Sequence, residues 1–263
     1  MIDYENFKKI FMYYFNEYDI AFNEKIINDF YIFTEYLLSE NKKYNLTSIT
    51  DIDEIIVKHY IDSVIIFKYF EIPENSKIID IGAGAGFPAL PLSIMRKDLK
   101  ITFLDSSHKK INFIKNAATG IIRDHSTQFD FHCGRAEDFG RDLSVRETYD
   151  LAVSRAVARL NILCEFAAPF IRPGGFFIAY KGKNTGDEIF ASENAFKALD
   201  LGIEKTAEFN LGKPPSNAAA FATPFQKGAL GENNKRVMIK IKKLKKTSTK
   251  YPRKFSDITK NPL

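Results

Sequence analysis

The chain has 263 residues, 45% of them hydrophobic, enough for one well-packed domain with a small appendage. No run of about 18 apolar residues occurs, which excludes a membrane-spanning helix, and the N-terminus opens on acids and aromatics rather than the basic start of a signal peptide, so a cytoplasmic protein is expected. The net charge of +5 hides an asymmetry: from Lys235 to Leu263 eleven Lys or Arg face the single acid Asp257, a +10 tail on a −5 body, which points either to a polyanionic partner or to a solubilising, disordered tail.

From residue 3 to 40 apolar side chains recur at helical spacing, first Phe7, Phe11, Tyr14 and Phe15, then Ile26, Phe30, Phe33, Leu37 and Leu38. Two helices follow from this, with an aromatic stripe that reads as core rather than as a base-stacking surface. A third helix is predicted over 51–70, capped by Thr50 or Asp51 and ended by Pro73, Glu74 and Asn75. After Ser76 short β-prone runs at 77–81, 100–104, 129–133, 149–153 and 176–180 alternate with helical stretches such as 109–119 and 160–170. That alternation predicts a parallel sheet with helices on both faces. Two last strands, 203–210 and 236–241, lack a helix between them and predict a terminal antiparallel hairpin. The chain thus divides into an N-terminal helical extension (1–75), a core (76–242) and a basic tail (243–263). Cys133 and Cys164 form no C-x-x-C pair, so both read as small buried side chains in a reducing compartment, and no metal is expected.

The strongest local signal is Asp80-Ile81-Gly82-Ala83-Gly84-Ala85-Gly86-Phe87-Pro88, directly after the first predicted strand of the core. Glycines let backbone turn sharply and approach a ligand, and the helix that follows presents free N–H groups to an anion. A dinucleotide fold wants G-x-G-x-x-G. Here the glycines fall at 82, 84 and 86, and Phe87 stands where the third dinucleotide glycine would be. With Asp80 two positions ahead, placed to meet a methionine ammonium, the loop fits S-adenosylmethionine better than a nicotinamide cofactor. Asp105 ends the second strand 19 positions after Gly86; it either accepts hydrogen bonds from both ribose hydroxyls of an adenosine or caps the helix starting near Ser106 or Ser107. Beyond the third strand, Gly134-Arg135-Ala136-Glu137-Asp138 offers an acid or a backbone N–H to an adenine edge. The three loops lie at the carboxyl ends of adjacent strands, where open α/β sheets bind ligands.

Taken together these motifs resemble the 16S rRNA guanine-N7 methyltransferase family, ribosomal small subunit methyltransferase G, also called glucose-inhibited division protein B. The resemblance begins at Asn41 and covers nearly all that follows. It runs through Asn45-Leu46-Thr47-Ser48, Lys58-His59-Tyr60-Ile61-Asp62-Ser63, the glycine loop with Leu90-Pro91-Leu92, and Leu104-Asp105-Ser106. It continues in Val153-Ser154-Arg155-Ala156, Tyr180-Lys181-Gly182, Lys250-Tyr251-Pro252-Arg253-Lys254 and Asn261-Pro262-Leu263. The resemblance implies a class I S-adenosylmethionine-dependent methyltransferase: a Rossmann-like doubly wound α/β sheet, mostly parallel. It further implies transfer of a methyl group to N7 of one guanine in 16S rRNA near the decoding centre, with 16S rRNA or the small ribosomal subunit as partner. The alternative is a methyltransferase acting on another RNA, a protein or a small molecule.

Carried over by position, the cofactor contacts are Gly82, Phe87, Asp105, Ser106, Ser107, Ala136, Glu137 and Arg155, beside Asp80, Gly84 and Gly86 of the loop itself. Guanine N7 carries a free lone pair, so no general base is required. Candidates for the guanine pocket are Asn45, His59, Asp62, Ser63 and Arg155, of which His59, Asp62 and Ser63 share a helix face and either line the pocket or pack the N-terminal helices on the sheet. Arg155 alternatively forms a structural salt bridge. Lys181, Lys243, Lys245, Lys246, Lys250, Arg253 and Lys254 are the RNA-binding candidates. His108, His125 and His132 read as surface or helix-end residues. Three departures stand out: Ala89 where the family usually has Gly, Glu40 where it has Trp, and a longer 212–234 segment, read as an insertion or an extra RNA contact.

Overall fold

The computed structural model describes residues 2–121, 127–183, 185–212 and 234–263; His125 and nearly all of the 212–234 segment lie outside the described residues. Seven strands, β1 (Lys77–Ile81), β2 (Lys100–Asp105), β3 (Gln128–Cys133), β4 (Tyr149–Arg155), β5 (Ile171–Lys181), β6 (Leu201–Asn210) and β7 (Lys235–Lys243), form one sheet in the order β3-β2-β1-β4-β5-β7-β6. The first five pair in parallel, and β7 inserts antiparallel between β5 and β6. The strand order reverses between β1 and β4, the place where a doubly wound sheet opens a crevice at its carboxyl edge.

Alternation along β1 shows why the sheet is buried on both sides. Ile78 belongs to one apolar cluster and its neighbours Ile79 and Ile81 to another. The first cluster holds the N-terminal helices α1 (Tyr4–Glu17) and α2 (Glu24–Tyr44) against the sheet. Phe7, Phe11, Phe15, Phe30 and Phe33 are fully buried in it, so the aromatic stripe is core, as its spacing predicts. Asp3 and Asn23 cap the two helices through their side chains, and Asn45 ends α2 in the left-handed conformation at φ 50°.

The single helix predicted over 51–70 is broken. Asp51 caps α3 (Ile52–Ile55), a π-helical turn (Ile56–Ile61) follows, and then come α4 (Asp62–Val64) and α5 (Ile66–Tyr69). Two side chains take carbonyls from the helical ladder: the Arg155 guanidinium donates to the Lys58 oxygen at 3.1 Å, and the Ser63 hydroxyl donates to the His59 oxygen. Insertions of this kind widen a helix, and they cluster at functional sites.

Helix α6 (Ala89–Met95) follows the glycine loop, α7 (His108–Ile121) follows β2 and α8 (Ala136–Phe139) follows β3. Ala89 is fully buried, and its N–H donates to Asp80, so the extra methyl is accommodated; Glu40 pairs with Lys43 at the end of α2. Helix α9 (Leu160–Ala167) packs on the other face, with α10 (Thr185–Phe190) and α11 (Glu193–Ala198) beside it. Strand β5 starts earlier than predicted, through Pro173-Gly174-Gly175. A side chain on Gly175 would meet the Asp150 oxygen at 2.6 Å, and the register with β4 shifts there.

The stretch expected as a basic tail is folded. Its helix α12 (Phe255–Lys260) packs on α9, and Tyr251 and Ile258 belong to the second apolar cluster. Both cysteines are free thiols, Cys164 buried and Cys133 half-buried. Among the described residues no helix is long and apolar enough to cross a membrane.

Candidate active site

The carboxyl ends of β1, β2, β3 and β4 enclose a cavity of about 500 Å3. Its floor is the glycine loop. Gly82, Gly84 and Gly86 hold φ of 74°, 59° and 89°, a region that L side chains rarely adopt. A Cβ on Gly82 would strike Val157 at 2.4 Å, whereas one on Gly84 would meet nothing nearer than 3.9 Å and would project into open space. The loop is tied to the end of β2: Gly84 N–H donates to Asp105 Oδ2 at 2.9 Å, and Ser107 N–H donates to Oδ1 at 2.9 Å. Asp105 therefore serves the helix start that the sequence allowed and stands where the other reading needs it. It fixes the start of α7, and it faces the cavity with acceptor capacity left over.

At the cavity's far end stand Ala136 and Glu137. Glu137 Oε1 is buried without a hydrogen-bond partner, and burial pushes its carboxyl above the usual range. At the near end Arg155 donates to the Lys58 carbonyl and, at 2.8 Å, to Asp62 Oδ2; it also lies 5.1 Å from the Phe87 ring centre and 3.4 Å from His59 Nδ1. A guanidinium can only donate, so Nδ1 accepts and His59 Nε2 carries the proton that Thr47 Oγ1 receives at 2.9 Å. Burial, and then the charge of Arg155, lower His59 from 6.5 to about 3, so the ring is neutral at physiological pH. It stacks on Phe87 with centroids 4.4 Å apart. Ala156, just beyond Arg155, is held at φ 57°, a strained conformation for alanine that persists where structure over-determines it.

A second cavity, of about 460 Å3, lies on the other side of this partition and shares His59, Arg155 and Ala156 with the first. Lys58, Asp62, Tyr180, Lys181 and Arg236 line it. Asp62 Oδ1 is buried and makes no hydrogen bond; Arg236 Nε is 3.6 Å away.

The family model described as GidB, rRNA small subunit methyltransferase G, matches residues 26–213. The chain is 40% identical over 250 residues to the ribosomal RNA small subunit methyltransferase G of Clostridium botulinum strain Loch Maree, covering 94% of this chain and 95% of that one. It is also 40% identical over 227 residues to the protein of the same name from Thermoanaerobacter strain X514, covering 86% of each. This chain belongs to the rRNA small subunit methyltransferase G family. The fold agrees: a SAM-dependent O-methyltransferase of Thermotoga maritima superposes with a TM-score of 0.52 at 14% identity, covering 81% of this chain and 73% of that one. The protein is thus a methyltransferase, and its cofactor is S-adenosyl-L-methionine.

In this methyltransferase Gly82, Gly84, Phe87, Asp105 and Ser106 line the first cavity together with Ala136, Glu137 and Arg155. Three cofactor candidates stand behind it. Asp80 is fully buried and accepts from Ala89 N–H, Gly86 packs against Leu90, and Ser107 braces Asp105. Of the guanine candidates, His59, Asp62 and Arg155 reach the second cavity. Asn45 does not, because it is an exposed helix cap; Ser63 does not, because it is buried behind the π-helical turn.

The basic candidates divide in the same way. Lys181 lines the second cavity, but its ammonium is already held by Glu188 and the Ala158 carbonyl. Lys243 is removed from the RNA-binding set: it is fully buried and donates to the Leu199 carbonyl and Thr247 Oγ1. Arg253 is committed to Glu165. Lys245, Lys246, Lys250 and Lys254 are exposed. Thr47, Phe166, Arg236 and Phe255 line the cavities without having been singled out. Thr47 lies in a quoted motif; the other three have no local signal, because chain segments far apart in sequence bring them there.

Proposed function

We propose that this methyltransferase modifies N7 of a guanine in 16S rRNA near the decoding centre, acting in the cytoplasm on RNA of the small ribosomal subunit. The observation that carries this reading is the pair of cavities divided by His59, Arg155 and Ala156. The first suits the cofactor. Asp105 retains acceptor sites for ribose hydroxyls, and Glu137 Oε1, which makes no hydrogen bond and has only the Arg135 guanidinium 3.9 Å away, suits an exocyclic amine. S-adenosylmethionine supplies an activated methyl group on a sulfonium when bound. The residues of the chain supply position and exclusion of water.

The second cavity suits the base. Asp62 Oδ2 is fixed by Arg155, which leaves Oδ1 buried, ion-paired with Arg236 but without a hydrogen bond, to accept from the N1–H and amino group of a guanine. Such an acceptor rejects bases without those donors. The partition also bears on the chemistry. His59, lowered to about 3, is a poor proton acceptor. An N7 acceptor has no proton to lose, whereas a hydroxyl or an amine would need one removed. The test is methyl transfer from labelled cofactor to small subunits lacking the modification, followed by digestion and mass spectrometry. A single 7-methylguanosine in the decoding region is expected. Label on another base, or none on the RNA, would overturn the assignment.

A further inference from the structure

We infer that Phe255, carried by the C-terminal segment, is a cofactor-binding residue: its ring forms the outer wall of the adenosine half of the first cavity. The matched family span ends at residue 213, and Phe255 lies beyond it. Phe255 lines the cavity together with Gly134, Arg135, Ala136, Glu137 and Phe166, the end remote from Arg155 and the partition. The inference rests on reading that cavity as the cofactor site.

The segment that delivers Phe255 is clamped on both sides. Arg146 donates to four carbonyls, those of Gly140, Thr247, Ser248 and Tyr251, at 2.9–3.0 Å. Arg141 donates to the Pro252 carbonyl. Arg253 makes a two-armed pair with Glu165, which is almost fully buried in α9. Ile258, one turn on from Phe255, is fully buried, and the Leu263 carbonyl accepts from Asn161. Amid these anchors Phe255 alone turns a large apolar ring outward, 43% exposed at the cavity's rim.

Its surroundings are those of a stacking platform. The Phe166 ring lies parallel to it within 6° at 6.5 Å, and the Arg135 guanidinium sits 4.6 Å from its centre. An adenine brought to this end presents a flat π face, for which an aromatic ring backed by a guanidinium is a favourable partner, and such stacking is worth about tenfold in affinity. Side chains of β3–α8, α9 and α12 thus close one wall, and the last of them comes from a segment whose charge pointed elsewhere.

Calorimetry with S-adenosylhomocysteine and with 5′-methylthioadenosine, which lacks the amino-acid half, tests this on the full chain. Phe255→Ala should weaken both ligands by about tenfold with the melting temperature unchanged, and Phe255→Tyr should restore both to within about twofold. Because the chain has no tryptophan, Phe255→Trp provides a sole indole whose emission should be quenched on saturation with either ligand. Binding by Phe255→Ala within twofold of the parent, a loss confined to S-adenosylhomocysteine, or an indole blind to ligand would overturn the inference. Failure of the unaltered chain to bind either ligand would overturn the cofactor reading itself, before any variant is compared.

Discussion

The glycine loop and the C-terminal segment border the same cavity and are held there by opposite means. Residues 82–86 are almost bare backbone, shaped by three positive φ angles and tied by N–H groups to the end of β2, that of Gly84 to an aspartate 21 residues away. Residues 247–258 are held by side-chain cations that reach carbonyls and one carboxylate 88 to 111 residues away. A floor made of backbone is encoded locally, in a glycine pattern. A wall made of long-range pairs is encoded in residues that look, one at a time, like any surface lysine or arginine. Charge is spent inside the fold here, so counting it measures the wrong quantity.

The largest effect that would break this comparison is at the clamp. Glu165 is 1% exposed and Arg253 donates to it through two nitrogens. Removing one partner of a buried pair leaves the other charge uncompensated, at about 3–5 kcal/mol. Arg253→Met should therefore lower stability in urea by about 3 kcal/mol. A loss below about 1 kcal/mol, the value of an exposed pair, would mean that the segment is only resting on α9.

At the floor the expected loss is in binding rather than folding. Gly84→Val places its side chain where the protein offers nothing within 3.9 Å, so it fills the cavity and strains a residue at φ 59°. Asp105→Ala removes the acceptor facing the cavity and the partner of Gly84 N–H. Each should weaken S-adenosylhomocysteine about 30-fold or more, or about 2 kcal/mol, while far-ultraviolet circular dichroism stays unchanged. Wild-type affinity in both variants would remove this cavity from consideration.

A third test compares two buried groups of opposite sense. Burial raises the Asp80 carboxyl from 3.8 to about 7, so the folded chain keeps a proton that the unfolded chain releases, and stability falls as pH rises from about 4 to about 7. His59, lowered from 6.5 to about 3, is neutral in the folded chain while the unfolded chain takes up a proton, so stability falls as pH drops from 6.5 towards 3. Between about pH 4 and 6.5 the two slopes oppose, each up to about 1.4 kcal/mol per pH unit. Relative to the parent, Asp80→Asn should make stability climb with pH over that window and His59→Gln should make it decline. Variants that shift in the same direction would contradict the assigned burial.

Most of the scaffold was legible for the same reason that the floor was. Strands β1, β2, β4 and β5 alternate between two apolar clusters, edge strand β3 turns every second residue to the first, and all carry their period in the sequence. Asp105 and Arg155 could be placed because each ends a strand, and Glu137 because it lies four residues beyond one. The break at 56–61 could not be read, because it depends on Arg155 reaching the Lys58 carbonyl from 97 residues away. Nor could the short helices α8 and α10–α12, four to six residues long, whose stability comes from packing rather than from periodicity. Asn45 stood in a resembling motif and turned out to be the left-handed end of a helix, a role for which asparagine is well suited.

The smallest effect separates neighbouring lysines. Lys243 is fully buried at the end of β7, its ammonium lowered by burial to about 8, while Lys245, Lys246, Lys250 and Lys254 remain in water. If the exposed four meet RNA phosphates, each substitution by Gln should reduce the salt slope of RNA binding by about 0.7–0.9 and weaken affinity modestly, leaving cofactor affinity unchanged. Lys254 stands next to Phe255 at the cavity rim and should matter most among them. Lys243→Met should do the reverse: it alters stability, because the Leu199 carbonyl and Thr247 lose their donor, and leaves the slope where it was. Filter binding at several salt concentrations distinguishes the two patterns. An equal change of slope for Lys243 and Lys246 would mean that the charge of this region acts as a diffuse field, and that the inward turn of β7 does not decide which lysines the RNA feels.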